Sequence, residues 1–366
     1  MFIDSIECVH LQVPFRYEGR IALRSTLTLP GFFGFIAVRV RTKEGLQGLG
    51  FTRSSLAGES VAQIIRGPIA DSILKENPLE HDRLFHRVEK RFHGIGFHGL
   101  VARAYAAVDI ALWDLRGKIA NLPLYRLLGG SRASASVYLG NAATSGKDPQ
   151  ETLQIAKPLV EQGVLGLNIE VGGGNIQHDA DRVQQIRDGL GENAWLAIDA
   201  EGRYDLGTAM AMAHFYEEDV GIDRYEFPLP ADDANGYQRL SERMEVPLAL
   251  GSTFDRRDEF RQVLERGDVR VLRPDVLRLG GITPFLKIAV LAEAYPVVVS
   301  PVRLPEIGVH LACGLPNVDA VEFTNLLEPL FLDPIRIEKG KLTPSAKPGH
   351  GLELNPEAVE RYSVTR

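Results

Sequence analysis

The sequence predicts an α/β protein whose larger part is a parallel (β/α) barrel, preceded by an α+β unit. Two observations carry the prediction. After Ser131 the chain alternates eight short apolar strand cores with helical stretches, the rhythm of a strand-helix-strand fold with parallel strands. Before that point, long strand-like runs lead into a block of helical signals, an order expected of an α+β domain. A doubly wound open sheet is the alternative. It is weakened because neither Gly-x-Gly-x-x-Gly nor a phosphate-loop lysine motif follows the first strand of the alternating region.

The elements follow in order. "IDSIECVHLQVPF" and "FGFIAVRVRT" alternate or run apolar and read as strands, with a loop near Tyr17 to Pro30 between them. From Ser60 to Leu128 the signals are helical, and "ARAYAAVDIALWDLRGKI" is dense in good helix formers, with Gly129-Gly130 as the expected stop. Strand cores then come at "SVYLG", "LGLNIE", "AWLAIDA", "IDRYEF", "PLALGS", "VRVLRPD", "VVVSP" and "DAVEF". Helical segments such as "DPQETLQIAKPLVEQG", "QHDADRVQQIRDGL" and "TPFLKIAVLAEAY" separate them.

Composition excludes several classes of function. The 366 residues are 45% hydrophobic, enough for two core-bearing units, and the net charge of −7 offers no footprint for nucleic acid or an acidic membrane. No apolar run approaches the roughly 20 residues of a spanning helix. The opening MFIDSIECVH lacks the basic and apolar stretches of a signal peptide, so a cytoplasmic chain is expected. Cys8 and Cys313 alone make neither a disulfide framework nor a thiolate metal site.

In a barrel of this kind the chemistry sits at the carboxyl ends of the strands. Those ends carry Asn168 and Glu170, Asp199 and Glu201, Glu226, Ser252, Arg273 and Asp275, Ser300 and Val302, and Glu322. Asn168 and Glu170 share one face of "LGLNIE", either as a solvent-facing edge or as part of a site. Six of these residues are carboxylates, and six acids converging on one mouth point to a site.

"ARAYAAVDIALWDLRGKIANLPLYRLLGG" (Ala102 to Gly130) resembles the signature helix and loop of the enolase superfamily, mandelate racemase/muconate lactonizing group. The closing "PGHGLELNPEAVERY" is similar to that family's return segment. The resemblance implies a modified (β/α)7β TIM barrel with an N-terminal α+β capping domain. It divides the chain into a capping domain at 1–130, a barrel at 131–345 and a segment at 346–366 returning to the capping domain. It also implies a homo-oligomer acting on a small molecule. In the implied chemistry, Mg²⁺ polarises a substrate carboxylate while a base removes the proton alpha to it.

By that resemblance Asp199 and Glu226 match two of three acidic metal ligands, and Ser252 stands where the third belongs. Asn168 and Glu170 replace the family's Lys-x-Lys. Asp275 matches the Asp of an Asp-His pair whose His position falls on Val302. Glu322 sits where some relatives keep an acid, and Glu201 replaces a metal-region Asn. The segment Arg16 to Pro30 corresponds to the lid.

Without the lysines, the crowded acids call for a positive counterpart. It can be Mg²⁺ on Asp199 and Glu226, weakened by Ser252; the inward Arg273; or an amine-bearing substrate. Glu201, Arg273, Arg278 and Arg303 are candidate substrate contacts, and Asn168, Glu170, Asp275 and Glu322 candidate catalytic groups. His93 and His98 could join if their loop faces the mouth. Two functions stay open: an isomerase or lyase with a rebuilt site, or a non-catalytic small-molecule binder or scaffold.

Overall fold

The computed structural model describes residues 1–14, 16–17, 20–21, 32–54, 57–140 and 148–364. Three antiparallel strands open the chain: β1 (Ile3–Pro14), β2 (Phe32–Thr42) and β3 (Gln47–Arg53), in that spatial order. Helices α1 (Gly58–Ile64), α2 (His81–Arg91) and α3 (Gly99–Ala120) cover one side. Small residues set the closest contact. A Cβ at Gly48 or Gly50 would stand 2.0 Å from the carbonyl oxygen of Ala111 or Ala107, so only glycine lets α3 lie this near to β3. The helix ends earlier than the expected stop at Gly129-Gly130. Asn121 takes the left-handed conformation (φ 53°) after Ala120, and a one-turn helix, Leu124–Leu127, precedes the two glycines.

Eight parallel strands form the barrel: β4 (Ala135–Leu139), β5 (Gly166–Glu170), β6 (Trp195–Asp199), β7 (Arg224–Glu226), β8 (Leu248–Leu250), β9 (Val271–Leu272), β10 (Val298–Val299) and β11 (Val321–Phe323). They pair in chain order from β4 to β10. Strand β11 returns to β4, with Val321, Glu322 and Phe323 opposite Val137, Tyr138 and Leu139. A bridge between Val299 and Val318 closes the ring. Every residue of β5 is buried, so its Asn168 and Glu170 do not form a solvent-facing edge. The expected alternation of strand and helix is the observed one.

The main helices of the barrel are α4 (Pro149–Glu161), α5 (Ile176–Leu190), α6 (Leu206–His214), α7 (Ala234–Ser241), α8 (Arg257–Arg266), α9 (Ile282–Ala292) and α10 (Pro305–Gly314). Asp148, Asn175, Asp205 and Asp233 cap four of them, each accepting a backbone N–H in the first turn. The closing segment folds back on the first sheet. His350 donates through Nε2 to the Leu49 carbonyl at 2.7 Å, and Val364 N–H reaches the His10 carbonyl. Apart from a backbone pairing of Arg16–Tyr17 with Arg20–Ile21, the expected lid lies outside the described residues. Among the described residues no helix is long and apolar enough to cross a membrane.

Candidate active site at the barrel mouth

Parallel strands of two to five residues leave little room for drift, so residues at their carboxyl ends face one another. Asp199 lies opposite Glu170 and Glu226 in the β5-β6-β7 register. The strain of this rim is visible in the backbone. Glu201 (φ 51°), Phe227 (φ 41°) and Arg303 (φ 69°), each just beyond a strand, all occupy the left-handed region that side chains disfavour.

Arg273 is the centre of the arrangement. It leaves β9 pointing into the barrel, almost fully buried, and bonds Glu226 through Nη1 and Glu322 through Nη2. Its Nη1 also donates to the Tyr138 hydroxyl at 2.8 Å. Arg224, over the rings of both Trp195 and Tyr138, places Nε 2.6 Å from Glu226 Oε1. Asn168 Nδ2 donates to Glu226 Oε2 at 2.7 Å. Burial alone would lower the Arg273 guanidinium, but Glu226, Tyr138 and Glu322 raise it above its ordinary value. Burial pushes the Glu322 carboxyl up, opposed by Arg273.

The other acids have separate surroundings. Burial first, then Glu201 and Glu226, pushes Asp199 well above the usual carboxylate range, although Oδ1 accepts the Glu201 N–H at 2.9 Å. Glu170 pairs with Arg203 at 2.7 Å, an arginine from the loop after β6. Asp275 caps the short helix Val276–Leu279 through Leu277 N–H at 2.9 Å, and its Oδ2 lies 3.7 Å from Arg303 Nη1. Val302, where the resemblance asks for histidine, is buried and apolar.

These donors do not fit Mg²⁺. Glu226 Oε1 faces two guanidiniums and Oε2 accepts from an amide, so its charge is already answered by Arg224 and Arg273. An ion there would also meet the Arg273 charge. Ser252, half-buried in the turn after β8, brings no charge of its own. Among the described residues no group of three or more His, Cys, Asp or Glu is arranged to hold a metal ion. The altered site expected from Ser252 is thus altered further by Arg273.

The sequence-based list divides accordingly. Asn168, Glu226, Arg273 and Glu322 form one bonded floor, with Asp199 beside it. Arg224 and Arg273 answer Glu226 and Glu322 there, and so part of the excess acid that suggested an amine-bearing ligand. Asp275 and Arg303 stand together above it, and Arg278 turns back to the Thr253 carbonyl at 2.8 Å. His93 and His98 line a separate groove of about 720 Å³ between the first helices and α8 and α9. Four arginines escaped the sequence reading, among them Arg203 and Arg224, which pair with Glu170 and Glu226. Arg53 and Arg103, from the capping side, are electrostatically coupled to Asp275. Only their placement at the end of β3 and on α3, next to a barrel loop, marks them out.

Residues 151–358 match the family profile described as enolase C-terminal domain-like. Residues 25–129 match that of the mandelate racemase / muconate lactonizing enzyme N-terminal domain. L-talarate/galactarate dehydratase from Salmonella typhimurium is 32% identical over 334 residues, covering 90% of this chain and 83% of its own. Arabinonate dehydratase from Saccharolobus solfataricus is 29% identical over 360 residues, 94% of this chain and 96% of its own. The crystal structure of L-talarate dehydratase from a Polaromonas species, complexed with Mg and L-glucarate, superposes with a TM-score of 0.91 at 30% identity. It covers 100% of this chain and 98% of that one.

Proposed function

Because this chain belongs to the mandelate racemase/muconate lactonizing enzyme family of the enolase superfamily, we propose that it is an isomerase or lyase moving the proton alpha to the carboxylate of a small substrate. The observation that carries the reading is Asp275, a buried carboxylate at a strand end with Arg303 at 3.7 Å. Asp275 takes the proton, and the charge that develops on the substrate carboxylate falls beside Arg303. Asn168 holds Glu226, which with Arg273 and Glu322 makes a rigid floor. Glu322, raised by burial, is the candidate acid, and Glu170 the second candidate base. The relatives' names put sugar acids first among the substrates to try.

The test is solvent deuterium exchange across a panel of sugar acids. The wild type should exchange the α-proton of at least one member, and Asp275→Asn should lose about 10²–10⁴-fold in rate. A chelator should leave the rate unchanged, since the floor takes its charge from arginine. Exchange that persists in Asp275→Asn would remove Asp275 from its role. Val302 favours the second reading, a binding member without turnover, because its apolar side chain replaces a proton-transferring partner. Binding of a sugar acid with no exchange under any condition would select that reading.

A further inference from the structure

Asp275 stands at the start of a helix of only four residues, Val276–Leu279. Nucleating a single turn fixes several dihedrals for one hydrogen bond, so such a helix has no stability of its own in water. Its position is set by whatever seats its two ends. At the first end Asp275 Oδ1 accepts the Leu277 N–H at 2.9 Å. At the second, Gly280 closes the turn in the left-handed region (φ 96°), and Gly281 N–H returns to the Val276 carbonyl at 2.8 Å. Residues of the capping side cover both glycines. A Cβ at Gly280 would lie 2.8 Å from Phe97 Cε1 and 2.9 Å from its Cζ, so the ring rests on bare backbone. At Gly281 the neighbour is Asp109, which also accepts the Thr283 N–H.

Phe97 is itself held in place. Its ring stands edge-on to Phe85 and Tyr105, with centroids 5.1 and 5.7 Å away, and both of those rings are buried. Lys287 Nζ and the Arg257 guanidinium lie over Phe85 at 5.1 and 5.8 Å, so α8 and α9 of the barrel grip the same aromatic group. Phe97 and Leu279 together line the outer groove.

We propose that Phe97 is a positioning residue for Asp275, acting through Gly280 and the single turn between them. At 1.5 Å per residue, about 7 Å of chain separates the two ends. Val276, Leu277 and Leu279 are buried in close packing, so a displacement at one end is passed to the other rather than absorbed. The ring thus fixes where the carboxylate stands relative to Arg303, 3.7 Å away. This role rests on Asp275 being the base of the proposed reaction; the placement of its helix does not.

The experiment is amide hydrogen exchange of the full chain, read by mass spectrometry on a peptide covering residues 276–281 and on a control peptide covering β6. In Phe97→Ala the first should exchange at least about tenfold faster, and the control should not change. Phe97→Leu, which keeps much of the apolar bulk, should recover part of the protection. Gly280→Ala should give the same local loss from the other side of the contact. Joined to Phe97→Ala, it should lose no more than the worse single variant, because both changes break one contact. On any sugar acid whose α-proton exchanges, Phe97→Ala should lower kcat about ten- to a hundredfold with KM within about twofold, and Phe97→Leu should recover part of it.

Unchanged protection of residues 276–281 in Phe97→Ala would overturn the proposal, as would a loss shared equally by the control peptide. So would a local loss with kcat intact on a substrate that turns over. A local loss in a protein that exchanges no sugar acid would instead refute the proposed reaction and leave Phe97 as the residue that places Asp275.

Discussion

Arg273 stabilises its surroundings only as long as both acids it bridges are present. Glu226 and Glu322 are almost fully buried and both bond its guanidinium, Glu226 with Arg224 as a second partner. Removing one partner of a buried charge group leaves the others uncompensated, at about 3–5 kcal/mol. Arg273→Met should therefore lower the urea unfolding free energy by that order. The double variant with Glu322→Gln should recover part of it, because Glu226 keeps Arg224 and no bare carboxylate then remains in the floor. An Arg273→Met protein as stable as the wild type would mean that the acids are neutralised in some other way.

At the level of elements, α3 is joined to α9 by a polar contact inside an apolar interface. Asp109 accepts from Thr283 N–H at 2.9 Å and from its hydroxyl at 2.6 Å, and Trp113 Nε1 donates to the same hydroxyl at 2.9 Å. Gly281, at φ 114°, admits the carboxyl, since a Cβ there would lie 2.3 Å from Asp109 Oδ2. Burial raises Asp109 to about 7. In the unfolded chain the group ionises near pH 4, whereas in the fold it keeps its proton to about 7. Its contribution is therefore most favourable below pH 4 and falls as pH rises toward 7, by about 1.4 kcal/mol for each pH unit crossed. Asp109→Asn keeps an acceptor for the Thr283 N–H, reverses the bond to the hydroxyl, and removes the titration. Denaturation at pH 4.5 and at pH 7.5 should show the variant losing less stability than the wild type across that interval.

Across the whole molecule, the closing segment fastens the first sheet to the rest. His350 is buried between the Leu49 carbonyl, which accepts from Nε2, and Leu352 N–H, which donates to Nδ1. Asp114 takes the backbone N–H groups of both Leu49 and His350, and Lys118 at 2.7 Å. His350→Ala should lower stability by roughly 2–4 kcal/mol, read from thermal unfolding, because it opens a cavity and leaves a buried carbonyl unpaired.

The barrel was legible because each of its strands is a short apolar run between helices, and burial on both faces makes that pattern local. The end of α3 was not, since Asn121 takes the left-handed conformation that glycine was expected to supply. Of the mouth, the sequence by itself determined which side chains arrive, since strand ends and their alternation place Asn168, Glu170, Asp199, Glu226, Arg273 and Glu322 on the rim. Only the tertiary structure decided which charge answers which. Arg273 spans two strands far apart in the chain, bonding Glu226 and Glu322, and Arg203 reaches back to Glu170 on the preceding strand. Electrostatic pairing depends on distance in space, and a strand pattern carries no record of that distance.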